Sequence, residues 1–189
     1  RSQHEEFRSV VETTDGGYAM TGWTNSTGAG DYDLWLVKTD ADGDTLWTRT
    51  FGGTTADQGY SIVESNDGGL VMAGSKYVPN SYAGTPAWII KTDSVGTQLW
   101  EQTLEDYTYY AGARCINNTS DGGYIISGQQ LSAIGTNFFL SKIGADGSID
   151  WINVFFGDDG DDNSNAFHVV RTRDSGFVVT GYLKEYNSI

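Results

Sequence analysis

The stretch Asp15-Gly16-Gly17-Tyr18-Ala19-Met20-Thr21-Gly22 is written again as Asp67-Gly68-Gly69-Leu70-Val71-Met72-Ala73-Gly74 and as Asp121-Gly122-Gly123-Tyr124-Ile125-Ile126-Ser127-Gly128. A fourth, weaker version runs Asp174-Ser175-Gly176-Phe177-Val178-Val179-Thr180-Gly181. The aspartates stand 52, 54 and 53 residues apart, and Trp47, Trp100 and Trp151 keep the same beat at 53 and 51. A period of this length belongs to solenoids, propellers or arrays, in which one supersecondary unit packs on the next.

Each unit reads as four short strands, A to D. Strand A precedes the Asp-Gly turn, as in Ser9-Val10-Val11-Glu12 and Ser61-Ile62-Val63-Glu64. Asp-Gly between apolar runs is a hairpin signal, because glycine accepts the positive φ of a tight turn. Strand B follows and ends in a small residue and a glycine, which predicts a bulge or the close approach of a neighbouring backbone. Strand C, as in Leu34-Trp35-Leu36-Val37-Lys38 and Ala87-Trp88-Ile89-Ile90-Lys91, is apolar on both faces, as a strand covered on both sides must be. Strand D carries the tryptophan. The spelling Asp-x-x-Gly-x-x-x-Trp holds at Asp40, Gly43, Trp47 and at Asp93, Gly96, Trp100, while the third copy has Gly144 in place of the aspartate.

These C–D residues resemble the tryptophan-docking motif of propellers in the quinoprotein (PQQ-type) and related repeat families. The run from Trp35 through Phe51-Gly52-Gly53 to Tyr18-like positions is similar to blade repeats of large secreted or surface bacterial and archaeal proteins. The resemblance implies an all-β propeller of four-stranded antiparallel blades. It also implies that Trp47, Trp100 and Trp151 pack on the adjacent blade with their indole N–H bonded to backbone there. Blades fall at about 1–53, 54–106 and 107–157, with a partial blade at 158–189, in one propeller segment. The count is fourteen strands, or three and a half blades, whereas closed propellers typically have about four to eight. The chain is therefore expected not to close a ring alone. The remaining blades would come from further sequence or from another chain.

Composition narrows the partners. The chain has 25 acidic and 11 basic residues, a net charge of −14, which disfavours nucleic acid and anionic membrane. No apolar run approaches the ~18 residues of a membrane-spanning helix. An extracellular or cell-surface location follows from the resemblance. Cys115, the single cysteine, excludes an internal disulfide and reads as a small packed residue at the repeat position of Ser9, Ser61 and His168.

Strand alternation sorts the connections. A–B and C–D turns share one end and hardly vary, whereas the B–C and D–A connections share the other end and vary freely. Variable loops on a rigid scaffold are where binding resides. Their aromatics, Trp23, Tyr77, Tyr82, Tyr107, Tyr109 and Tyr110, suit a glycan or a protein ligand. Their carboxylates include Asp31, Asp33, Asp57, Glu105 and Asp106. The run Asp158, Asp159, Asp161 and Asp162 is the candidate metal site, with Ca²⁺ as the fitting cation. No complete calcium motif occurs, and no other cofactor is implied. Lys38 and Lys91 lie two residues before Asp40 and Asp93, so pairing within the strand or between blades is expected.

Enzyme signatures are absent: no Gly-x-Ser-x-Gly elbow, phosphate loop or Cys/His metal spacing, and neither His4 nor His168 stands in a nucleophile–base pattern. The expectation is a non-catalytic extracellular module that binds or scaffolds. The alternatives are a propeller-type polysaccharide hydrolase or lyase, and a structural repeat of a surface layer or fibre.

Overall fold

The computed structural model describes residues 3–79, 85–104, 109–132, 135–155, 163–174 and 176–184. Among them are fourteen strands and no helix. Sheet 1 is β1 (Glu5–Glu12), β2 (Tyr18–Thr24), β3 (Asp33–Thr39) and β4 (Thr45–Phe51), paired in chain order and antiparallel throughout. Sheet 2 repeats this with β5 (Asp57–Glu64), β6 (Leu70–Lys76), β7 (Ala87–Thr92) and β8 (Gln98–Leu104). Sheet 3 is β9 (Tyr109–Asn118), β10 (Tyr124–Ser132), β11 (Gly135–Ile143) and β12 (Ile149–Phe155). The hairpin β13 (Asn163–Arg171) and β14 (Phe177–Lys184) follows. One parallel bridge, Thr136↔Asn163, ties this hairpin to sheet 3. The bridge Tyr32↔Ala56 joins sheets 1 and 2 in the same way, so the hairpin is the opening half of a fourth unit.

The Asp-Gly-Gly turns form as their sequence requires. Gly16, Gly68 and Gly122 take φ of 86°, 77° and 84°. A side chain on Gly17 would start 2.2 Å from the Thr39 carbonyl oxygen, so the second glycine is demanded by contact rather than by φ. The aspartate braces the turn: Asp15 accepts from the Gly17 N–H at 3.0 Å and the Thr13 hydroxyl at 2.6 Å.

The strand-C lysines resolve differently from their expected pairing. Lys38 pairs with Asp15 at 2.8 Å, Lys91 with Asp67 at 2.6 Å and Lys142 with Asp121 at 3.1 Å. Strand B lies between strands A and C, so Lys38 reaches across it to the A–B turn. Asp40 is occupied elsewhere, accepting the N–H groups of Asp42 and Asp44 and closing the C–D turn. Each lysine ammonium is nearly buried while its aspartate stays exposed. The Lys38 ammonium beside Asp15 and the Thr13 hydroxyl hold that carboxyl well below the usual range. Lys91 brings Asp67 down to about 2.

Two irregularities recur in register. In strand A the pairing skips a residue between Phe7 and Ser9, Gly59 and Ser61, and Ala166 and His168. The bulge drives a carbonyl toward the strand-B glycine: a Gly22 side chain would start 1.7 Å from the Glu6 oxygen, and one on Gly74 1.9 Å from the Gln58 oxygen. The close approach expected from those glycines is real, and the bulge lies on the strand beside them. In strand D a second skip, opposite Lys38/Thr39, Lys91/Thr92 and Lys142/Ile143, sets the tryptophan's direction.

The core lies between the sheets. Ala19, Leu34 and Leu36 of sheet 1 meet Ile62, Leu70, Met72, Trp88 and Ile90 of sheet 2. Val71, Ala73, Ala87 and Ile89 of sheet 2 meet Ile116, Tyr124, Ile126 and Phe139 of sheet 3. Ile125 and Leu140 meet Val169 of β13. Trp47 lies over Gly96 in the C–D turn of sheet 2, and Trp100 lies over Gly147 in that of sheet 3. Trp100 Nε1 donates to the Ala145 carbonyl oxygen at 3.2 Å, which satisfies the indole. Trp151 packs with Phe177 and Val179 on the last cluster. No described residue supplies a C–D turn beyond it.

Candidate functional site

Up-and-down pairing places the B–C and D–A connections at one end of all the units, and the strand-A bulges sit just inside that end. The extra residue of the bulge is Arg8, Tyr60, Arg114 and Phe167 in successive units. Beside it, after the strand-B glycine, stand Trp23, Ser75, Gln129 and Tyr182. These side chains form a chain of contacts across three units. The Arg8 guanidinium lies 4.6 Å from the Trp23 ring centre, Trp23 meets Tyr60 edge-on at 6.1 Å, and Arg114 lies 4.5 Å from the Tyr60 ring. Tyr60 donates to Gln58 Oε1 at 2.6 Å, and Arg114 donates to Gln129 at 3.0 Å. In the fourth unit Phe167 and Tyr182 pack on each other at 5.7 Å, both about half exposed. Stacking holds each guanidinium by about 0.5–1 kcal/mol and leaves N–H edges for a ligand's oxygens.

At the same end, where β3 and β5 begin, two carboxylates are sealed in. Asp33 and Asp57 are each 1 % exposed. Asp33 accepts from the Ala29 and Gly30 N–H groups at 3.0 and 3.1 Å. Asp57 accepts from Gly53 at 2.7 Å and Tyr77 at 3.0 Å. Both face Gly52, whose side chain would start 2.5 Å from Asp57 Oδ2 and 2.7 Å from Asp33 Oδ1. Burial, with a contribution from Asp33, raises the Asp57 carboxyl. The pair ties three loops together from inside.

A third cluster comes from the stacking of the A strands. Ser9 Oγ accepts the N–H of Ile62 at 3.3 Å, and Ser61 Oγ that of Ile116 at 3.2 Å, each from the next unit. At the third step Cys115 Sγ lies 3.4 Å from His168 Nδ1 and 3.8 Å from the Val169 carbonyl oxygen. Burial pushes the Cys115 thiol up, so it is held as a thiol.

The loop residues singled out from sequence are dispersed. Trp23 is 6 % exposed, under Arg8, rather than free on the surface. Tyr77 is 42 % exposed and its backbone anchors Asp57 and Thr55. Tyr109 and Tyr110 fall in β9, opposite Leu131 and Gln130. Tyr82, Tyr107, Glu105, Asp106 and the candidate metal ligands Asp158, Asp159, Asp161 and Asp162 lie outside the described residues. Among the described residues no three His, Cys, Asp or Glu side chains converge. Sequence reading missed Arg8, Tyr60 and Arg114, although they stand at one repeat position. It also missed the Cys115–His168 contact, which their spacing of one period foreshadowed.

The chain is similar to the crystal structure of a protein of unknown function from Bacteroides caccae, at 15% identity and a TM-score of 0.57. The match covers 97% of this chain and 58% of that one, so the chain spans little more than half of that relative's length. At this identity the likeness carries the fold alone. No family model and no curated protein matches the chain.

Proposed function

We propose that the chain is a run of β-propeller blades of the tryptophan-docking kind. It serves as a non-catalytic binding scaffold outside the cell or on its surface, holding a glycan or protein ligand at the loop end. Repeated A–B–C–D sheets, with the indoles Trp47 and Trp100 each seated on the next sheet's C–D turn, support the propeller reading. The half unit β13–β14 and its exposed Phe167, Val170, Val178 and Tyr182 support completion by further blades. Val10 supports the same at the other face: it is 62 % exposed, whereas its counterparts Ile62, Ile116 and Val169 are buried.

The observation that carries the binding reading is the Arg8–Trp23–Tyr60–Arg114 array. It crosses three units at the end where the loops vary, and ordering of its arginines is met before any ligand arrives. The Glu6 carboxylate, 2.8 Å from the Arg8 guanidinium, and the Tyr60 and Ser75 hydroxyls, 3.3 Å apart, suit a ligand that both donates and accepts. An enzyme reading has less support: Asp33 and Asp57 are each 1 % exposed, and in the Cys115–His168 pairing the imidazole is exposed but the thiol is buried and held protonated.

The test is a glycan array and a peptide-display screen, each followed by a hydrolysis assay, with wild type, Tyr60→Ala and Arg114→Ala. Micromolar binding without turnover, weakened about tenfold or more by both substitutions, is the expected result. Turnover abolished by loop Asp→Asn changes would establish the enzyme instead. Binding indifferent to both array substitutions would remove the array from the site. A closed, monomeric four-bladed ring of this chain alone, seen by scattering, would end the partial-propeller reading.

A further inference from the structure

One repeat position changes its chemistry where the surrounding pocket does not. The residue after Asp-Gly-Gly, or Asp-Ser-Gly in the fourth unit, is Tyr18, Leu70, Tyr124 and Phe177 in turn. Between sheets 2 and 3, Tyr124 is 1 % exposed and sits in a slot of its own. Its ring lies 6.2 Å from Trp100, its hydroxyl donates to Ser65 Oγ at 3.0 Å, and Lys91 stands beside it. Between sheets 1 and 2 the corresponding repeat positions hold Trp47, which packs on the cluster of Leu70, and Thr13 and Lys38, which line the slot. The ring is missing, because Leu70 stands in its place.

A cavity of about 110 Å³ is found there, lined by Thr13, Asp15, Lys38, Glu64, Leu70 and Ser94. Thr14, Asp15 and Ser94 are exposed, so the slot opens to solvent. Thr13 spends its proton on Asp15 at 2.6 Å, which leaves its oxygen free to accept, as Ser65 accepts from Tyr124. Lys38, 5 % exposed, is held by Asp15 and by the Thr39 carbonyl oxygen. A sealed apolar cavity of about 150 Å³ takes benzene. A smaller slot open on one side takes a ring without enclosing it.

We infer that this slot, at the tight-turn end between sheets 1 and 2, binds a phenolic ring in the place that Tyr124 fills with its own side chain one repeat later. The site is separate from the loop-end array and does not depend on its function. The phenol belongs either to a free small molecule or to a tyrosine of a partner; both present the same ring and hydroxyl.

The test is ligand-observed NMR titration of the 189-residue chain with p-cresol, toluene and N-acetyl-tyrosinamide. Saturable p-cresol binding with a dissociation constant on the order of 1 mM is expected. Leu70→Tyr should weaken it at least tenfold while the thermal midpoint stays or rises. Thr13→Val should weaken p-cresol but not toluene. N-acetyl-tyrosinamide binding as tightly as p-cresol assigns the slot to a partner's tyrosine, and weaker binding assigns it to a free phenol. No saturable p-cresol binding, equal binding in Leu70→Tyr, or a destabilised Leu70→Tyr chain would each overturn the inference, the last because the space for the ring would not exist.

Discussion

Gly43, Gly96 and Gly147 occupy the same turn position at φ of 90°, 83° and 87°, yet they differ in what lies above them. A methyl group on Gly43 meets nothing within 4 Å. On Gly96 it starts 2.8 Å from Trp47 Cζ3 and 2.9 Å from Arg49 Cγ, and on Gly147 2.9 Å from Trp100 Cδ2. Alanine at all three carries the same conformational penalty, about 1–2 kcal/mol for an L-residue in the left-handed region. Only at Gly96 and Gly147 must an indole also move, adding about 1–3 kcal/mol of overpacking. At Gly147 the Trp100–Ala145 hydrogen bond, worth about 1 kcal/mol, is at risk as well. The expected costs are about 1–2 kcal/mol for Gly43→Ala and about 2–5 kcal/mol for the other two. Urea unfolding followed by tryptophan fluorescence, with native-state hydrogen exchange to separate the units, measures them. Equal costs within about 0.5 kcal/mol at all three positions would refute indole docking as a source of stability. A longer assembly that seats a tryptophan over Gly43 should raise the first cost to match the others, so the same series also reports closure.

Three further outcomes follow from the described contacts. Asp67, lowered to about 2, contributes stability that is present above the unfolded value of 3.8 and lost as pH falls through 2. Its carboxylate is half exposed, so screening holds this to at most about 1 kcal/mol, and Asp67→Asn should flatten the acid-unfolding curve between pH 4 and 2. Asp57 is raised, so its stabilising contribution is present at low pH and lost as pH climbs through its folded value. Asp33→Asn should lower the Asp57 titration seen by carboxyl ¹³C NMR and reduce the stability lost as pH climbs above the unfolded value of 3.8; an unmoved titration would separate the two carboxylates. Cys115→Ser should stay within about 1 kcal/mol of wild type in chemical denaturation, because serine already fills that position at Ser9 and Ser61 and accepts the next unit's N–H there.

Much of the fold was legible because it is written several times. The Asp-Gly-Gly turns, the doubly covered strand C and the fourteen strands all follow from local signals repeated in phase. Strand A was read short: β1 begins at Glu5 and β5 at Asp57, four residues before the stretches that look like strands. The bulge after Phe7 and Gly59 breaks the period-two pattern, so alternation fails there although pairing continues. The lysine partners were misassigned for a related reason. Spacing along one strand places Lys38 beside Asp40, but Asp40 is drawn into its own turn by two N–H groups, and the free charge within reach lies two strands away at Asp15.

The candidate sites were hidden because their members are neighbours across units, not along the chain. Arg8 and Tyr60 are far apart in sequence, yet Trp23 connects them. Cys115 and His168 touch because stacked A strands align positions one period apart. In such a scaffold the backbone at each repeat position is already fixed by turns, bulges and docked indoles. A change of chemistry at a fixed position is therefore not needed for folding. Lys38, Lys91 and Lys142 do not change, and they brace turns. Arg8, Tyr60, Arg114 and Phe167 do change, as do Tyr18, Leu70, Tyr124 and Phe177. Those two columns mark the loop-end array and the ring-shaped slot, one at each end of the sheets, so reading the repeat position by position rather than residue by residue separates the scaffold from the surfaces it carries.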